Sequence, residues 1–248
     1  MTRILAALMV LFGAAPATAQ NAAGRFDGWA TVVISADWRD GGGRPIEAFD
    51  NARRDLTAGL RAAGLPRGST IDLTLNPAST RTATTAEVVR AVSDLTARAP
   101  RGCLLYFTSH GTPEGMVFGD EGMVTPASMA RMVREWCGAR PTVVVVSACY
   151  SGVFVNALAA PNRMVLTAAS RARTSFGCGG GETYPWFDGC VIENLPDAVD
   201  FLDLAAAARA CVARKEQEAG IALPSEPQLF VGAEMQLRLP TLRFERGP

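Results

Sequence analysis

Residues Thr142–Val146 read TVVVV, an unbroken β-branched run. Such residues lose χ1 freedom in a helix and pack well on a pleated surface. A strand with no polar side to turn to water must be covered on both faces, which is the situation of a parallel sheet between two helical layers. The rest of the chain supplies the partners. Trp29–Ser35 (WATVVIS), Leu104–Phe107 and Met164–Thr167 are further apolar runs of strand length, Thr70–Leu75 alternates, and Gln228–Val231 is a last short run. Between them the apolar period changes to that of a helix. Phe49–Ala63 puts Ala52, Leu56, Leu60 and Ala63 on one face and stops at Gly64. Thr84 and Glu87 have capping-box spacing ahead of a stripe of Val88, Val92, Leu95 and Ala99. Pro126–Trp136 carries its proline in the first turn, and Asp203–Ala219 is a further helix. Residues 170–183, rich in Gly and Ser, read as loop. The alternation predicts an α/β fold, a mostly parallel sheet with helices on both faces, in one domain over 20–248.

Charge narrows the partners. Lys and Arg total 24, as do Asp and Glu, with no like-charge run, so no nucleic-acid partner is indicated. The first residues, MTRILAALMVLFGAAPATAQ, have the form of a secretory signal: a basic start at Arg3, an apolar stretch Ile4–Phe12, and the small-x-small site Ala17-Thr18-Ala19. Cleavage after Ala19 is expected, giving a secreted or periplasmic chain. The apolar stretch is shorter than the about 20 residues that a membrane span needs, and no later segment qualifies. The six cysteines contain no CxxC pair and the chain has a single histidine, so neither metal nor cofactor is expected. The glycines at 41–43 and 177–181 match no nucleotide-binding pattern.

In parallel sheets ligands bind beyond the carboxyl ends of the strands. The sole histidine, His110, follows one strand in TSHG (108–111), and Cys149 follows the next in SACYSG (147–152). If those strands are neighbours, an imidazole and a thiol share one crevice, the pairing of a cysteine nucleophile and its base. Ser151-Gly152 and the apolar Val153–Leu158 suggest a helix starting just after Cys149, whose N-terminus would favour the thiolate. The N–H groups of Gly111 and Cys149 are candidates for holding an oxyanion. Taken singly, each residue also has a plain reading, a small buried cysteine and a hydrogen-bonding histidine.

LLYFTSHG followed by VVVVSACYSG resembles the legumain-like (asparaginyl endopeptidase) cysteine peptidases, within the wider caspase-fold clan. WATVVISADWR resembles their first strand, which ends in Asn-Tyr-Arg where this chain has Asp37-Trp38-Arg39, and TAASRARTSFGC (167–178) resembles their Thr-Ala-Ala to Ser-Ser-Tyr-Ala-Cys segment. The resemblance touches four strand tips between residue 29 and roughly 190 and implies a three-layer caspase-like fold. It implies a cysteine endopeptidase acting on peptide or protein substrates through a thioester. In that scheme Cys149 is the nucleophile, His110 the base and acid, and Asp37 stands where an asparagine orients the histidine. Arg39, Ser147, Thr174, Ser175 and Asp188 fall on or near the pocket for the side chain before the scissile bond. Two positions depart from the family: Ser147 replaces a glutamate and Tyr150 an acidic residue. An arginine kept with an acid lost implies cleavage after Asn or Asp without choosing between them. A non-catalytic module, a transpeptidase, and a caspase- or gingipain-like peptidase are the alternatives.

Cys103 begins one strand and Cys137 precedes the next, so a bridge between them at the edge opposite the site is expected. Cys178 is expected to pair with Cys190 or Cys211.

Overall fold

The computed structural model describes residues 24–120 and 122–245; the expected signal segment, 1–19, lies outside them. In chain order the strands are β1 (Trp29–Ser35), β2 (Thr70–Thr74), β3 (Gly102–Thr108), β4 (Gly111–Thr112), β5 (Gly115–Val117), β6 (Met123–Val124), β7 (Thr142–Ser147), β8 (Arg163–Thr167) and β9 (Gln228–Val231). The α-helices are α1 (Ala48–Ala62), α2 (Thr85–Ala97), α3 (Pro126–Cys137), α4 (Val153–Leu158), α5 (Trp186–Asn194), α6 (Phe201–Glu218) and α7 (Ala233–Arg238).

The main sheet runs β2-β1-β3-β7-β8-β9, parallel throughout except for the antiparallel edge strand β9. Side-chain alternation divides its buried residues between two cores. Val33, Leu104, Tyr106, Val143, Val145 and Leu166 face a layer that includes α1, α5 and α6. Val32, Leu105, Phe107, Val144 and Val146 face α2, α3 and α4. Four consecutive residues of β7, Val143–Val146, can therefore all be apolar, because neither face meets water. The helix stripes predicted on α1 and α2 are buried as expected, and the Thr84–Glu87 capping box is formed in both directions.

The structure adds elements that the sequence reading lacked. Residues 111–124 form the small antiparallel sheet β4-β5-β6. Helix α5 was missed because its segment, WFDGCVIEN, holds a glycine and a buried aspartate where an amphipathic pattern would need apolar residues.

The bridge Cys103–Cys137 ties β3 to α3 as expected. The second expectation is corrected: Cys190 pairs with Cys211, while Cys178 is free. Cys190 and Cys211 meet between α5 and α6, whereas Cys178 sits on the loop that packs beside Cys149.

Candidate active site

The register of the two central strands places His110 and Cys149 on neighbouring strand tips, with no hydrogen bond between their side chains among the described residues. Thr108 of β3 stands opposite Ser147 of β7, and the Ser109 N–H donates to the Ser147 carbonyl across 3.0 Å. His110 and Cys149 each lie two residues beyond that pair. The next step is tighter still. A Cβ on Gly111 would lie 2.1 Å from the Cys149 carbonyl oxygen, so only glycine allows β4 to lie against the Cys149 backbone.

After β7 the chain turns sharply. Tyr150 has φ +55°, in the left-handed region that non-glycine residues rarely occupy. The turn is held from outside: the Tyr150 N–H donates to the Arg173 carbonyl, and the Ser151 hydroxyl accepts from the Ala169 N–H. Gly152 backs onto Ser170 and Arg171, with no room for a side chain. The sulfur is thus presented on a strained strand-to-helix turn braced by the segment after β8. The expected helix exists but is only six residues long and begins at Val153, a full turn past Cys149. The sulfur takes its hydrogen bonds from elsewhere. The Ser175 N–H donates to Cys149 Sγ at 3.3 Å, and the Ser175 carbonyl and hydroxyl lie at 3.5 and 3.6 Å.

His110 packs edge-on against Phe49 of α1, with ring centroids 5.1 Å apart. Its Nε2 lies 2.7 Å from the Arg39 carbonyl. A carbonyl only accepts, so Nε2 carries the proton and Nδ1 of the neutral ring keeps its lone pair. This corrects the role expected of Asp37. Its carboxylate accepts from the Trp38 and Arg39 N–H groups and from Arg39 Nε, and the imidazole is oriented by a main-chain oxygen instead.

Arg39 is likewise turned away from its expected place. Its guanidinium bonds to Asp37, to Asp120 at 2.9 Å and to the Gly119 carbonyl, while stacking on Trp38. It clips the β1–α1 loop to the segment after β5 rather than meeting Ser175 or Asp188. Thr174 is exposed at the rim, and Ser175 touches the sulfur.

Asp188 also departs from the expectation of a substrate-facing acid. It has no solvent exposure, and its oxygens accept from the Tyr106 hydroxyl at 2.6 Å and the Thr108 hydroxyl at 2.5 Å. Burial pushes its carboxyl up to about 6, although the hydroxyls of Thr108, Tyr106 and Ser147 all favour the ionised form. The same burial, with Cys149 and Asp188 nearby, pushes the Cys178 thiol up.

Backbone donors are available beside the sulfur. The Val117 N–H donates to the His110 carbonyl, which makes Gly111–Met116 the non-hydrogen-bonded pair of the β4–β5 ladder. The Gly111 N–H therefore points away from β5. Among the described residues, the Cys149 N–H has no hydrogen-bond partner. A hollow of about 370 Å³ lies between Pro45–Glu47 and the glycine loop 179–181. Among the described residues no cluster of metal ligands occurs, and no helix is long and apolar enough to cross a membrane.

The Peptidase C13 family profile matches residues 93–204, a span that contains both His110 and Cys149. Over that span the chain is similar to the legumain-like peptidases, and it is a cysteine-type peptidase of caspase-like fold. The crystal structure of caspase-1 from Spodoptera frugiperda superposes on this peptidase with a TM-score of 0.61 at 13% identity. The alignment covers 84% of this chain and 88% of that one. At that identity the match carries the fold alone. No curated protein sequence matches this peptidase.

Proposed function

We propose that this peptidase is an exported endopeptidase that cleaves after Asn or Asp through a Cys149–His110 dyad. The observation that carries the reading is the orientation of His110: with Nε2 committed to the Arg39 carbonyl, Nδ1 is the nitrogen left to take a proton. In the reaction, Nδ1 accepts the thiol proton as Sγ attacks the peptide carbonyl. The tetrahedral oxygen is held by the Cys149 and Gly111 N–H groups, neither of which is spent on the adjoining backbone ladder. The imidazolium protonates the leaving amine, and a thioester remains on Cys149. Water, deprotonated by the same ring, then releases the acid and the free thiol.

Side-chain preference rests on the family resemblance, since Arg39 and Asp188 are both engaged within the protein. Export is supported by the signal-like start of the chain and by two buried disulfides, which persist in oxidising compartments. The test is labelling with Asn- and Asp-based thiol-reactive probes, comparing the native chain with Cys149→Ala. Labelling of the native chain alone supports the dyad, and equal labelling of both ends it. A fluorogenic peptide panel then reads the preference, and strong cleavage after Arg or Lys would overturn the Asn/Asp assignment.

A further inference from the structure

Beneath the two strand tips lies a polar group that the proposed reaction does not use. Tyr106 and Thr108 lie on the same face of β3, and Ser147 on the matching face of β7. Strand alternation puts all three toward α5. There Asp188, in the first turn of α5, accepts from Tyr106 and Thr108, and the buried Ser147 hydroxyl favours its ionised form without a direct hydrogen bond to it. Thr108 and Ser147 are register partners, and each stands two residues before a dyad member. An ionised carboxylate accepts only, with about four lone-pair sites, so it can take both bonded hydroxyls at once. Removing it would leave buried hydroxyls without an acceptor at the point where the two strands end.

We propose that Asp188 is a positioning residue, a carboxylate clamp that fixes the tips of β3 and β7 against each other and so sets His110 against Cys149. It acts through Thr108 and, across the strand register, through Ser147, and does not touch the substrate. The inference rests on the dyad of the preceding subsection but not on its substrate preference.

The experiment reads the dyad without any peptide, using iodoacetamide and peptide-mapped mass spectrometry. In this reaction the Cys149 sulfur forms a C–S bond, iodide leaves, and the thiol proton passes to His110. Cys178, half-buried beside the site with its thiol pKa pushed up, serves as a slow internal reference. The rate at Cys149 should fall about tenfold or more in Asp188→Asn and in Thr108→Val, because small misplacements of reacting groups are costly. Thr108→Ser, which keeps the hydroxyl, should retain most of the rate. The double variant Asp188→Asn/Thr108→Val should be no slower than the slower single variant, since both remove one interaction. A folded Asp188→Asn chain alkylated at the native rate, or effects that simply add, would overturn the clamp. If Asp188→Asn fails to fold, Thr108→Val reads the same contact: slowing supports the clamp and a native rate refutes it. His110→Ala separates the two claims. A slow His110→Ala beside a native-rate Asp188→Asn sinks the clamp and leaves the dyad standing. A native-rate His110→Ala sinks both. Loss of peptide cleavage with the alkylation pattern intact sinks only the substrate assignment.

Discussion

The Nε2–H of His110 donates to the main-chain oxygen of Arg39 across 2.7 Å. A backbone acceptor orients the ring as a carboxylate would, without placing a negative charge beside it. Asp37 is one step removed, holding the Trp38 and Arg39 N–H groups whose loop carries that oxygen. Asp37→Asn retains an acceptor for those donors, so kcat/KM should fall by less than about tenfold. A loss near the 10⁴-fold seen when a true triad aspartate is replaced would mean that the carboxylate acts on the ring directly. Steady-state kinetics on the best peptide of the panel decides.

Gly111→Ala should abolish activity and lower stability. The new Cβ would stand 2.1 Å from the Cys149 carbonyl, a backbone atom that cannot swing aside. The conflict resolves only by parting β4 from the Cys149 turn. Thermal melts and probe labelling should both change, and native labelling would show that the two segments are looser than described.

Asp188 makes stability depend on pH with a definite sign. Its folded value, about 6, lies above the ordinary carboxyl range near 4. The folded state holds this proton more tightly than the unfolded chain does. The group therefore contributes most below that ordinary range, and its contribution is lost as pH rises toward 6. A two-unit difference is worth about 3 kcal/mol at most. Urea midpoints from roughly pH 4 to 7 should decline for the native chain and decline less for Asp188→Asn, though the variant starts lower because a buried hydroxyl loses its acceptor. Identical slopes would mean that Asp188 titrates normally.

Non-reducing peptide mapping should find Cys103 joined to Cys137 and Cys190 to Cys211, with Cys149 and Cys178 as thiols. Replacing both Cys190 and Cys211 by serine removes a cross-link spanning 21 residues and should cost roughly 3 kcal/mol. Any bridge to Cys149 in active protein would exclude it as the nucleophile.

Arg53 should be intolerant of truncation. Buried with Asp50 and Asp72, it bonds to both, and Asp50 also receives the Ser35 and Asn76 side chains. Arg53→Ala leaves the buried Asp50 short of its cation, while Asp72 keeps Arg61 and Arg81 at 4.0 and 3.8 Å, so the loss should sit at the low end of about 3–5 kcal/mol. Denaturant midpoints measure it, and a shift worth less than about 1 kcal/mol would show that water reaches the cluster.

Elements whose burial is one-sided or complete were legible in the sequence, because period and composition carry that information. β7, β1 and the stripes of α1 and α2 are of this kind. The two strand tips were legible too, since position after an apolar run is a one-dimensional signal. What hid was whatever depends on side-chain direction. Nothing in the order of residues says that Arg39 turns to Asp120 while its carbonyl serves His110. Asp188 has a charged residue's letter and a core residue's environment, and that same mismatch concealed α5. Its signal was present only as Tyr106, Thr108 and Ser147, hydroxyl-bearing residues at one face of otherwise apolar strands. The partner of Cys211 depended on how α5 and α6 meet, which sequence spacing does not encode.

Between His110 and Cys149 the chain makes the β4-β5-β6 excursion and all of α3 before β7 can dock against β3. During synthesis the proposed base is therefore finished well before the proposed nucleophile exists. Under that proposal, a growing chain halted anywhere in that interval lacks its nucleophile, and activity appears only once strands distant in sequence have paired.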